Sequence, residues 1–214
     1  MPRRALDDTT VEALRCVARS RSSIDPAHDW LHVLRVEKTA AHLARIEGAD
    51  ETLCRAASLL HELVNLPKHH PDSARSGELC AEEALRVMQA CGVDDVAAGR
   101  VATCIRVHAW SAGLTPPDLE SAILQDADRL DAIGAIGIAR CFATCQAMGR
   151  PFYATEDPFC ETRAPDDRAF GVDHFVTKLL QIGERLHTRS ARSMARDRTA
   201  FLHAFLAQLR REIE

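Results

Sequence analysis

Asp50-Glu51-Thr52-Leu53-Cys54-Arg55-Ala56-Ala57-Ser58-Leu59-Leu60-His61-Glu62-Leu63-Val64 is the stretch on which the fold turns. Asp50 has a side chain suited to accept a backbone N–H in the first turn of a helix. Behind it Leu53, Ala56, Ala57, Leu59 and Leu60 place apolar groups on more than one face, as suits a helix buried on most sides. The segment then reaches His61-Glu62, two ionisable groups after an apolar run. Driving polar atoms toward an interior is costly unless they are paired or bind a metal.

Working outward, the periodicity is helical nearly everywhere. Thr9 or Thr10 caps a first helix to about Ser20, and Asp25-Pro26 reads as a cap with proline at the first helical position. A long helix then runs to about Glu47 and stops at Gly48, with Leu31, Leu34, Ala41 and Ile46 in its apolar stripe. After the 51–64 helix, Asn65 to Ser76 holds two prolines and reads as a loop. Helices are expected at about 77–90, 94–109, 118–130, 132–148, 167–187 and 190–212, with an irregular, proline-containing stretch at 149–166. No alternating strand of useful length, repeat or linker is present. The expectation is one compact all-α bundle over 1–214, its core at about 24–148 and the C-terminal helices at about 167–212 packed on it.

Composition narrows the function. Of 214 residues 46% are hydrophobic and 27% charged, which excludes wholesale disorder. A net charge of −4 argues against a partner among nucleic-acid polymers, and 5% aromatics leave no base-stacking platform. No apolar run of membrane-spanning length occurs, and Asp7-Asp8-Thr9-Thr10 stands where a secretory signal would be apolar, so cytoplasm is the expected location. The eight cysteines include no C-x-x-C pair and mostly sit in helical apolar patterns, so they read as reduced, buried small hydrophobes; Cys141 and Cys145 share a helix face. Only Lys38, Lys68 and Lys178 of the 27 basic residues are lysine, and the arginines of the last 30 residues are interleaved with acids, as on a solvated helix face.

Four places concentrate histidine and carboxylate: His28-Asp29-Trp30-Leu31-His32, His61-Glu62, His108 in Arg106-Val107-His108-Ala109-Trp110, and Gln125-Asp126-Ala127-Asp128-Arg129-Leu130-Asp131. Three of these segments push ionisable groups into apolar surroundings, and a shared divalent cation would neutralise them together. A helix-end histidine such as His108 also has the simpler use of complementing the helix dipole.

His32 with Arg35-Val36, then His61-Glu62, then Ala127-Asp128-Arg129-Leu130 resembles the H…HD…D signature of the HD-domain metal-dependent phosphohydrolase superfamily. The segments 28–36, 125–137 and 173–180 are similar to a subgroup of small bacterial HD hydrolases that includes nucleotide pyrophosphohydrolases, and the likeness covers roughly residues 24–210. It implies His32, His61, Glu62 and Asp128 as ligands of one divalent metal. Asp128 is taken over Asp126 because it lies in the Ala-Asp-Arg-Leu stretch. Such a donor set suits Mn²⁺ first, then Co²⁺, Ni²⁺, Fe²⁺ or Zn²⁺, with Mg²⁺ the least apt. Leu63 and Val64 follow the pair where binuclear members add histidines, so a single ion is expected, and His69-His70 is expected to face solvent.

The implied activity is hydrolysis of a phosphoester or phosphoanhydride in a small nucleotide, a nucleoside triphosphate pyrophosphohydrolase among the options. His108, Asp126 and Lys68 are the catalytic candidates, and His28, Arg129 and Lys178 the substrate-binding ones. Phe152, Tyr153 and Phe159 in the irregular stretch either contact a base or ribose or anchor the loop. A homodimer is compatible with the resemblance. Glu62 departs from the family's aspartate, which leaves open a degenerate domain that binds a nucleotide or protein partner without turnover.

Overall fold

The Asp50 carboxylate accepts from the Leu53 amide at 3.0 Å and opens the apolar helix α3 (Glu51–Leu60), in which every residue from Leu53 to Leu60 except Arg55 is buried. The structure is a computed structural model, and it describes residues 4–25, 27–64, 66, 72 and 75–213. Two compact units are present, Met1–Asp128 and Arg129–Glu214. The first contains α1 (Asp8–Ser20), α2 (Trp30–Glu47), α3, α4 (Ser76–Ala90), α5 (Asp95–Val107) and most of α6 (Leu119–Asp131). There α3 packs against α1, α2 and α5, and α4 lies along α5. The second contains α7 (Gly134–Ala147), α8 (Asp173–Thr177) and α9 (Arg189–Ile213), with α7 packed on α9. Among the described residues there is no strand, only two isolated bridges, so the fold is all-α as expected. No described helix is long and apolar enough to cross a membrane.

Several helix ends differ from the sequence reading. The cap of α1 is Asp7, which accepts from the Thr10 amide at 2.8 Å and the Thr10 hydroxyl at 2.7 Å, rather than Thr9 or Thr10. α2 starts at Trp30 because Asp29 takes the His32 amide at 2.9 Å. Asp25 instead closes a turn, accepting from Ala27 N–H at 3.0 Å. Pro26 and most of the expected 65–76 loop lie outside the described residues. Gly48 does end α2: its φ of +77° is a left-handed conformation that favours glycine, and its N–H reaches the Ala44 carbonyl at 2.9 Å. α3 stops at Leu60, short of Val64. The helix expected at 167–187 is only α8 followed by short 3₁₀ turns at Leu179–Gln181 and Gly183–Arg185. Lys178, with φ −139° and ψ −60°, leaves the helical region.

A buried carboxylate ties three helices of the first unit. Both oxygens of Glu37 on α2 accept from Arg15 of α1 at 2.6 Å, and Arg55 of α3 adds a bond at 3.1 Å. In the second unit the irregular stretch is held by side chains. Wholly buried Asp173 takes both Arg163 guanidinium nitrogens at 2.6 and 2.7 Å and the Asp166 amide at 2.6 Å. Asp157 accepts from the amides of Thr162, Glu161 and Arg163, which holds its carboxyl well below the usual range. Cys141 and Cys145 do not serve each other: their thiols donate to the carbonyls of Gly171 and Arg150 at 3.6 and 3.1 Å. All eight cysteines are free thiols. Phe152 meets Phe142 edge-on at 4.9 Å, and Phe159 lies 4.2 Å under the Arg210 guanidinium, so both anchor the stretch.

Candidate metal centre

The residues that the sequence separates by almost a hundred positions meet in the first unit. His32 is the third residue of α2, set in its first turn by the Asp29 cap, and is wholly buried. His61 is the residue on which α3 ends, with 1% of its surface exposed. Asp128 comes from α6. One ligand atom from each of His32, His61 and Asp128 lies within 4.8 Å of the others. His32 Nε2 is 3.2 Å from His61 Nε2 and 3.6 Å from Asp128 Oδ1. Glu62 reaches both rings with Oε1, at 3.7 Å from His32 and 3.8 Å from His61, and 15% of its side chain is exposed.

The hydrogen bonding defines what this cluster wants. His61 Nδ1 donates to the Ser58 carbonyl at 2.6 Å, so its neutral ring turns an unprotonated Nε2 toward His32. Two imidazole lone pairs cannot face each other at 3.2 Å unless a proton or a cation lies between them. Two nitrogens bound to one ion at roughly 2.1 Å stand about 3.0–3.4 Å apart. The donors therefore fit a shared divalent cation: two neutral imidazoles, with carboxylates to balance its charge.

The electrostatics agree. Burial pushes His61 down to about 4, against the pull of Glu62. Burial also opposes ionisation of Glu62, but the His32 ring and the other neighbouring imidazoles outweigh it and hold the carboxyl below its ordinary value. His61 is thus held neutral and Glu62 anionic at neutral pH, with Glu62 beside the converging set rather than in it.

A stability profile follows for the chelator-treated protein. Between the ordinary value of 6.5 and about 4, unfolded His61 binds a proton that the folded ring refuses. Its contribution to stability is complete above 6.5 and declines as the pH falls toward 4, by up to about 1.4 kcal/mol per unit. Glu62 extends the decline below 4.5. Urea midpoints measured from pH 7 to 4 will show this slope, and a flat profile contradicts the burial of a neutral His61.

His108 joins the cluster by a similar device. It caps α5, its Nδ1 donates to the Ile105 carbonyl at 2.6 Å, and its ring lies 5.3 Å from that of His61 at 90°. His28 stands on the other side, its ring 6.0 Å from His32 and its Nδ1 3.0 Å from Asp25.

A family model described as HD domain matches residues 30–133. The protein YpgQ of Bacillus subtilis (strain 168) is 34% identical over 190 residues, 87% of this chain and 84% of YpgQ. This chain belongs to the HD domain superfamily. Solved structures of similar HD proteins match it along nearly their whole length. The crystal structure of B. subtilis YpgQ in complex with ADP gives a TM-score of 0.75 at 31% identity, covering 96% of this chain and 95% of that one. A Lactobacillus plantarum protein gives 0.79 at 27% identity, covering 96% and 97%. An HD-superfamily hydrolase from Bacillus thuringiensis gives 0.67 at 29% identity, covering 96% and 95%.

The other candidates of this HD domain are placed as follows. Asp126 is wholly buried but is not in the converging set, as its position two residues from Asp128 on one helix requires. Lys68 and His69-His70 lie outside the described residues. Arg129 belongs to the second unit, where its guanidinium donates to the Arg185 carbonyl at 2.9 Å and meets His187 Nε2 at 2.9 Å. Lys178 follows α8, in the same unit. The sequence reading missed the residues that aim the ligands. Asp29 carried a legible signal, an acid three residues before His32. Ser58 acts through its backbone carbonyl, which leaves no pattern of residue types.

Proposed function

We propose that this chain is a metal-dependent phosphohydrolase that cleaves a phosphoanhydride or phosphoester of a small nucleotide, nucleoside triphosphate pyrophosphohydrolysis being one form of it. The convergence of His32, His61 and Asp128, with Glu62 beside them, carries the reading. Nucleotide as the substrate class is supported by YpgQ, whose crystal structure is a complex with ADP. In this reading His32, His61, Asp128 and Glu62 hold one divalent ion, Mn²⁺ first. Such an ion supplies Lewis acidity and activates water for attack on phosphorus.

The protein's own contribution is orientation. The Ser58 carbonyl keeps the His61 ring turned inward, and Asp29 fixes His32 in the first turn of α2. With its Nδ1 committed to Ile105, His108 is left with Nε2 as the atom that takes up a proton and passes it to the leaving oxygen. His28, 34% exposed and braced by Asp25, lines the approach. Lys68 is the cation proposed to hold phosphate. Arg129 has a structural use in binding Arg185 and His187. Asp126 is proposed as a buried support of α6.

The test is a screen of nucleoside mono-, di- and triphosphates with Mn²⁺ that identifies the phosphorus product. Pyrophosphate and orthophosphate report different bonds, and Mn²⁺ binding without any product favours the second reading, a domain that binds without turnover. Glu62 is the residue that raises it. Its extra methylene does not carry the carboxylate away from the two imidazoles. Glu62→Asp is therefore expected to maintain or raise the Mn²⁺-dependent rate. A loss of more than about tenfold, at unchanged Tm, contradicts Glu62 as a carboxylate ligand.

A further inference from the structure

We infer that Cys80 is a positioning residue of the metal centre, its thiol fixing the turn that presents His61 and Glu62. The inference rests on the metal-binding reading above. α3 ends at Leu60, so the last carbonyls of the helix have no partner within it. Two of them are buried beside the centre and are met from another helix: the Cys80 thiol on α4 donates to the Leu60 carbonyl at 3.3 Å and to the His61 carbonyl at 3.1 Å. One side chain thus engages the backbone at the two residues that lead into Glu62.

Cys80 is 1% exposed, and burial pushes its thiol up to about 12, so it remains a protonated donor rather than a thiolate ligand. It is not itself in the converging set of ligand atoms. Its position is supported by the close approach of α4 to α5. A Cβ on Gly77 would stand 2.9 Å from the Arg106 carbonyl oxygen, so α4 sits on the end of α5 with no room for another atom. The path runs from α5 through α4 and Cys80 to the backbone of His61. The Leu60 carbonyl keeps the Leu63 N–H at 3.3 Å, but removing the thiol takes from the buried His61 carbonyl its donor and frees the turn to re-aim both ligands.

The experiment measures Mn²⁺ affinity of the full chain by electron paramagnetic resonance, with Tm followed alongside. Cys80→Ala is expected to weaken Mn²⁺ binding about tenfold or more, the scale found when groups that orient ligands are removed. Cys80→Ser restores a donor and is expected to return the affinity to within about threefold of wild type. Cys141→Ala removes a thiol-to-carbonyl bond of the same kind on α7 and is expected to change Mn²⁺ affinity by less than about twofold. Equal affinity of wild type and Cys80→Ala overturns the assignment while leaving the metal centre intact. Equal losses in Cys80→Ala and Cys80→Ser overturn it as well, since a donor was then not what mattered. Absence of Mn²⁺ binding by wild type overturns the metal reading and this inference together.

Discussion

His61→Ala will lower Mn²⁺ affinity by at least about 100-fold, and the protein will purify without stoichiometric divalent metal. Changes to groups that merely orient ligands already cost about 10–100-fold, and a lost ligand must exceed that. His61 is central in the geometry: its Nε2 lies 3.2 Å from His32 and 3.8 Å from Glu62. Without it His32, Asp128 and Glu62 keep only one nitrogen donor among them. The substitution also leaves the Ser58 carbonyl without its partner, so part of the effect is local loosening at the end of α3. Circular dichroism separates the two: helix content should stay near wild type while elemental analysis shows the metal gone. Retention of metal at wild-type stoichiometry contradicts the proposed centre.

Glu37→Ala will produce the largest loss of stability among the changes considered, about 3 kcal/mol in urea unfolding. Breaking a buried ion pair by removing one partner commonly costs about 3–5 kcal/mol, because the other charge is left without compensation. Here two arginines are stranded. Arg15 and Arg55 retain 25% and 19% of their side-chain exposure, so water recovers part of the cost and the lower end applies. Glu37 sits on α2 five residues beyond His32, and it clamps α2 to α1 and α3. The variant should therefore also bind Mn²⁺ less tightly as α2 loosens. A change below about 1 kcal/mol would mean that apolar packing alone aligns the three helices.

The legible parts of the molecule were those set by near neighbours in sequence. Asp50 and Gly48 mark helix ends through bonds to residues three or four positions away, and both were readable. The apolar run of α3 announced a buried helix. The end of α3 was not readable, because its last carbonyls are shared among the His61 ring, the Leu63 amide and a thiol from α4, and no residue-type pattern marks that arrangement. The start of α2 was misplaced because two aspartates compete. Asp25 closes a turn and Asp29 caps the helix, and only the fold decides between them. The 167–187 segment carries a helical pattern, yet Asp167 accepts from the His174 ring and the Thr177 hydroxyl, and Asp173 is drawn to Arg163, so side chains settle its path. Within the centre, the ordered motif brought out His32, His61 and Asp128, whose ligand atoms do converge. Their aiming groups, Ser58 and Cys80, act through backbone carbonyls and stay silent in any pattern of residue types.

Both α3 and α5 end on a histidine, and those two rings lie against each other. The C-terminus of a helix behaves like about half a negative charge. Two such ends aimed at one spot create a standing attraction for cations that belongs to the main chain, so no substitution of a single side chain can abolish it.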